Sequence, residues 1–166
     1  LTGLDGSYNA TSDFIVLNGV ADVKASTLFL RIFTITVLLA GSVGSNVGAI
    51  NVEDATSTTL IAQVAVGMNE AEMAMWTVPA GYALYLTSFY ASENAGSSCA
   101  IYPFQRSRGG IWTPIAGSIS AKSNNYHHRL EAPVRVEEKV DIQLRGFADA
   151  DNAKIYAGFH GWYELV

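Results

Sequence analysis

Cysteine is almost missing from this chain of 166 residues. Cys99 stands alone, so no intrachain disulfide can form and the fold must rest on burial. Charge is scarce as well: Lys, Arg, Asp and Glu make up 15% of the residues, against about 25% in an ordinary globular domain. The net charge of −5 argues against a sequence-independent grip on phosphate, so no nucleic-acid partner is expected. A bilayer-spanning run is lacking too. The longest apolar stretch, 27–40 (TLFLRIFTITVLLA), falls short of the roughly 20 residues a helix needs and is interrupted by Arg31, so no membrane partner is expected. No window carries a capped 3.6-residue apolar repeat; 70–76 (EAEMAMW) is the best helical candidate and is short. No Gly-x-Ser-x-Gly elbow, P-loop or Rossmann glycine pattern occurs, so the chain is not expected to be an enzyme. No signal-peptide pattern opens the chain, whose first residue is Leu, and a processed or trimmed N-terminus is the expectation.

What is present is apolar and strand-like. Hydrophobic residues reach 49% and mean hydropathy is +0.20, which excludes a disordered chain. Short runs rich in Val, Ile, Thr and aromatics recur between Gly, Pro and Asn turn signals. One such run, 13–18, ends at Asn18-Gly19. The 27–40 run reads as a long strand, apolar on both faces, followed by the glycine-dotted loop 41–48. Further strands are expected at 49–52, 59–66, 73–78 and 82–91, the last two joined by the turn Pro79-Ala80-Gly81. Pro103 should confine the 99–106 strand to an edge or a bulge. Strands at 111–119, 126–130, 133–137, 140–145 and 155–165 complete the pattern. Ten to twelve short strands with regular turns predict an all-β fold, a jelly-roll-like antiparallel β-sandwich with extra N-terminal strands.

A boundary is expected at Gly67-Met68-Asn69. Acidic residues outnumber basic ones five to two before it and ten to eight after it. Residues 1–66 then form N-terminal strands, an arm or an extra layer, and 67–166 the sandwich; a single domain over 1–166 is the alternative.

Chemistry-bearing residues are sparse. His127 and His128 are adjacent, so on a strand they point to opposite faces, one half-buried and one exposed, and cannot readily share a metal. His160 stands alone in the last strand. Asp149, Asp151 and Asn152 alternate like calcium ligands but lack the Gly and downstream Glu of an EF-hand loop, so no metal and no cofactor are expected. The carboxylate pairs Glu70 with Glu72 and Glu137 with Glu138 read as solvated surface. Asn9-Ala10-Thr11 matches a glycosylation sequon, which arises often by chance. The aromatics say more: Tyr82, Tyr85, Phe89 and Tyr90 must divide between two faces, as must Tyr156 and Trp162 against Phe159 and Tyr163. Aromatics on both faces point to burial of the second face or to a carbohydrate platform.

The phrases at 76–92 (WTVPAGYALYLTSFYAS) and 133–145 (PVRVEEKVDIQLR), with Leu17-Asn18-Gly19 and Leu30-Arg31-Ile32 upstream, resemble small jelly-roll-like β-sandwich proteins associated with the virions of tailed bacteriophages. The resemblance implies a structural protein of a phage particle with no catalytic residues to carry over. It implies a capsid decoration, cement or minor capsid protein located in the virion, partnered by the major capsid protein and assembled as a homo-oligomer, a trimer being favoured. On the 27–40 strand, Phe29, Phe33, Ile35, Val37 and Leu39 share one face and Leu28, Leu30 and Ile32 the other. Both faces cannot pack on one sheet, so Phe29, Phe33, Ile35, Val37 and Leu39 are the candidate assembly interface. A receptor- or carbohydrate-binding module of a phage fibre or tail, using exposed Tyr and Trp, is the alternative.

Overall fold

The computed structural model describes residues 1–93, 98–117, 119–122, 126–151 and 153–166. Among them there is no helix, and every strand pairing is antiparallel. The protein is an all-β, jelly-roll-like antiparallel sandwich with additional N-terminal strands. It divides into two compact units, Leu1–Met73 and Ala74–Val166.

The first unit holds β1 (Thr2–Leu4), β2 (Ala10–Ser12), β3 (Arg31–Thr36), β4 (Ile50–Glu53), β5 (Leu60–Val64) and β6 (Glu70–Glu72). One sheet runs β2-β1-β3-β6 and a separate hairpin joins β4 to β5. Gly3 permits the approach of β1 to β3, because a Cβ there would sit 1.9 Å from the Arg31 carbonyl oxygen. Ile35, Ala62 and Val64 form a small buried cluster, with Ile32, Ile50 and Val52 packed around it. The long strand expected at 27–40 contracts to β3. Its neighbours β1 and β6 are three residues each, so the ladder runs out on both sides of Arg31–Thr36. The 13–18 run is not a strand either: an isolated bridge between Asn18 and Ala21 closes a tight turn over Gly19, and among the described residues no strand pairs with 14–17. Because β6 pairs with β3, this unit continues past Gly67-Met68-Asn69 to Met73.

The second unit holds β7 (Met75–Thr77), β8 (Tyr82–Glu93), β9 (Ser98–Arg106), β10 (Thr113–Pro114), β11 (Ile119–Lys122), β12 (Tyr126–Val136), β13 (Asp141–Ala148) and β14 (Ile155–Leu165). One sheet runs β10-β9-β13-β7, with β11 also beside β9; the other runs β12-β8-β14. From β7 to β9, and again from β11 to β14, each connection carries the chain to the other sheet. Inward residues of both sheets meet in one core: Leu84, Leu86, Phe89 and Val136 from one, Ile101, Ile119 and Ile142 from the other. The Pro79-Ala80-Gly81 turn forms as expected, with Gly81 at φ +77 and its N–H donating to Glu138 Oε2 at 2.7 Å.

Pro103 does not place its strand at an edge. β9 lies inside its sheet, and Pro103 is fully buried opposite Leu144. The Pro103 carbonyl accepts from Ile115 N–H, so the missing N–H faces the same flank. On that flank the neighbouring chain leaves the ladder after β10 and rejoins it at β11, so the missing N–H falls where the pairing is already interrupted. Beside it, Asp141 is 3% exposed and accepts from the Thr77 hydroxyl at 2.6 Å and from Arg106 Nε at 2.9 Å, which supplies the pairing a buried carboxylate requires.

Candidate assembly surface

The five residues expected to form an interface do not act together. Phe33 and Ile35 are 6% and 5% exposed and belong to the interior, Phe29 and Val37 are half-buried, and only Leu39 is open, at 84%. Alternation along β3 sends Phe33 and Ile35 inward, and irregular backbone outside 31–36 ends the shared face.

Within the first unit, many of the exposed apolar residues lie in two excursions of irregular chain. Phe14, Val16 and Leu17 lie in the first, with Leu28 just beyond it; Leu38, Leu39, Val43 and Val47 lie in the second. Each excursion is pinned by a polar side chain. The Asp13 carboxylate accepts from the backbone N–H of Ser26 at 2.7 Å and of Thr27 at 3.0 Å, and from the Ser26 hydroxyl. The loop's two ends are thereby tied together. These donors, the Thr27 amide first, hold the Asp13 carboxyl below the usual carboxylate range.

The second excursion is fixed by two asparagines. Asn46 N–H donates to Asn69 Oδ1 and Asn69 N–H to Asn46 Oδ1, each at 3.0 Å. Asn46 Nδ2 also donates to the carbonyls of Gly48 and Ala65, and Asn69 Nδ2 to that of Gly44. Asn69 adopts φ +60, the left-handed conformation that asparagine tolerates. The loop at 41–48 thus presents Val43 and Val47 from a fixed base. Sequence reasoning missed Asp13, Asn46 and Asn69. The turn at Gly67-Met68-Asn69 was a local signal for Asn69; the pairing with Asn46 is not written in any local spacing.

Other expected chemistry falls as follows. His127 is exposed and His128 half-buried, as alternation requires. His160 is not alone: the Ser88 hydroxyl lies 3.0 Å from His127 Nε2 and 3.1 Å from His160 Nδ1, tying β12, β8 and β14 together. Ser88 is 4% exposed, its hydroxyl held between the two rings. Cys99 is buried. Glu70 accepts from Thr36, and Glu137 pairs with Arg135. The Gly81 N–H, and then Lys139, hold the Glu138 carboxyl below its ordinary value. Asp149 and Asp151 follow β13, while Asn152 lies outside the described residues. Among the described residues no three His, Cys, Asp or Glu are grouped to hold a metal ion. The aromatics do divide between faces: Phe89 is fully buried, while Tyr85 stacks on Trp162 with ring centres 5.4 Å apart and Tyr90 lies 5.2 Å from His160.

No protein-family model matches the chain, and no match is found among curated proteins or solved structures.

Proposed function

We propose that the protein is a structural component of a virion, a capsid decoration, cement or minor capsid protein that clamps neighbouring capsid subunits as a homo-oligomer. The observation that carries this reading is the anchored apolar display of the first unit. Val43, Val47, Leu38 and Leu39 are 69% to 84% exposed on a loop whose base is fixed by Asn46 and Asn69. Scattered exposed apolar residues need no explanation, but several concentrated on one fixed excursion mark an interaction surface. The sequence resemblance to virion-associated sandwiches supplies the capsid as the partner. A stable clamp of this kind buries about 1,200 Å² or more in total.

The test is Leu38→Asp with Leu39→Asp in one chain. Ultracentrifugation of the parent should show an oligomer, and the parent should bind emptied phage heads saturably at a fixed copy number. The double variant should keep the thermal midpoint of the parent's second unit and lose both properties. A monomeric parent that ignores capsids overturns the reading.

A further inference from the structure

We propose that the outer face of the β9–β13 pair binds an acidic saccharide. Arg145 would take the carboxylate, and Tyr102 and Phe147 would hold the sugar ring. The site belongs to the second unit and does not depend on the assembly reading.

Antiparallel register builds it. Ile101 and Ile142 point into the core, so the alternate residues Tyr102 and Phe104 of β9, and Arg145 and Phe147 of β13, project from the opposite face. Tyr102 lies directly across from Arg145. Tyr102, Phe104, Arg145 and Phe147 line a shallow depression of about 350 Å³, near the lower end of small-ligand pockets at roughly 300 Å³. The rings of Tyr102 and Phe147 meet edge-to-face, with centres 5.6 Å apart at 84°, and form an aromatic corner. Phe147 is 63% exposed, although an aromatic side chain gains most from burial.

Charge selects the ligand. The Arg145 guanidinium lies over Phe104 at 4.5 Å and near the Trp112 ring at 5.3 Å, and its Nε donates to Gln143. Arg106 also stacks on Trp112 but is neutralised by Asp141. Among the described residues no carboxylate lies within ion-pair distance of Arg145. A chain of net negative charge thus leaves a half-buried guanidinium, held in place by two rings, without an anion. A guanidinium fork matches a carboxylate in two parallel hydrogen bonds.

The second requirement is a compact body with C–H faces for the aromatic corner, which a pyranose ring supplies. An extended acidic peptide is the poorer fit. Tyr102 and Arg145 are partners in the β9–β13 ladder, so their own backbone groups are taken up there and an added strand gains none of them.

The test uses the full chain and chemical-shift titration with glucuronate, galacturonate and N-acetylneuraminate. Glucose, galactose, acetate and a tetraglutamate peptide serve as comparisons. At least one acidic sugar should bind on the order of tenfold tighter than its neutral counterpart, the size expected for a hydrogen bond to a charged group. Arg145→Gln should remove that preference. Phe147→Ser, at an exposed position, should weaken acidic and neutral sugars alike while leaving the thermal midpoint in place. Equal binding of glucose and glucuronate, or a preference that survives Arg145→Gln, overturns the proposal. So does tetraglutamate or acetate binding as tightly as the best acidic sugar, or no binding of any acidic sugar.

Discussion

The two units differ in how much of their apolar surface they bury. In the second, both sheets turn Leu84, Leu86, Phe89, Ile101, Val136 and Ile142 inward, and their burial holds the unit together. In the first, the buried cluster is small, and much of the order comes from side chains bonded to backbone: Asp5 to Ser7 and Asn9, Asp13 to Ser26 and Thr27, Asn46 to Gly48 and Ala65, Asp54 to Thr56 and Thr58. Leu38, Leu39, Val43 and Val47 therefore remain outside. The second unit exposes apolar side chains as well, Ile111, Phe147 and Leu165 among them, but it has a large core beneath them and the first unit does not.

The strongest way to break this comparison is to empty each core. Phe89 is fully buried, and Phe89→Ala is expected to cost about 3–5 kcal/mol, while Ile35→Ala costs about 2–4 kcal/mol in the smaller cluster. The readouts separate the units, because Trp76, Trp112 and Trp162 all lie in the second. Phe89→Ala should lower the midpoint of the tryptophan fluorescence transition in denaturant. Ile35→Ala should move the far-ultraviolet circular dichroism transition and leave the fluorescence midpoint where it was. A fluorescence midpoint that falls with Ile35→Ala would mean that the two units unfold as one.

A gentler cut sharpens the second half of the comparison. Asn46→Ala takes the acceptor from the Asn69 N–H and the donor from the Gly48 and Ala65 carbonyls. Unsatisfied groups at a position 9% exposed should cost about 1–3 kcal/mol. Amide exchange should speed up at Asn46, Gly67 and Asn69 and stay unchanged along β8 and β14. Unchanged exchange at Asn69 would show that the asparagine pair does not hold the loop.

These same features mark the limit of what the sequence discloses. Period-2 patterning and turn residues locate β4, β5, β8, β13 and β14, and Pro79-Ala80-Gly81 falls where its chemistry demands. The pattern fails where partners decide. An apolar run at 27–40 says nothing about how short its neighbours are, so it overstates β3 and makes one face of Phe29, Phe33, Ile35, Val37 and Leu39. Pro103 looks like an edge marker because its missing donor is visible in sequence, while the gap between β10 and β11 that accommodates it is not. The triad of Ser88, His127 and His160, and the cluster of Tyr102 and Arg145, exist only once register sets distant strands side by side.

The smallest expected effect lies at the tip of the β4–β5 hairpin. The Asp54 carboxylate accepts from the backbone N–H groups of Thr58 and Thr56 and from the Thr56 hydroxyl, at 3.1, 3.2 and 2.9 Å. The Thr58 amide is the largest cause, and together these donors hold the carboxyl down at about 2 against an ordinary value of 3.8. A lowered folded-state value means that the charged form favours the folded turn. The contribution is therefore complete above 3.8 and is lost as pH falls through about 2. The tip is solvent-exposed and water competes for every donor, so global unfolding should shift little. Amide chemical shifts of Thr56 and Thr58 should titrate together with a midpoint near 2, and Asp54→Asn should abolish that step. A midpoint near 3.8 would show that the turn forms without its carboxylate, and that the first unit leans less on such ties than its hydrogen bonds imply.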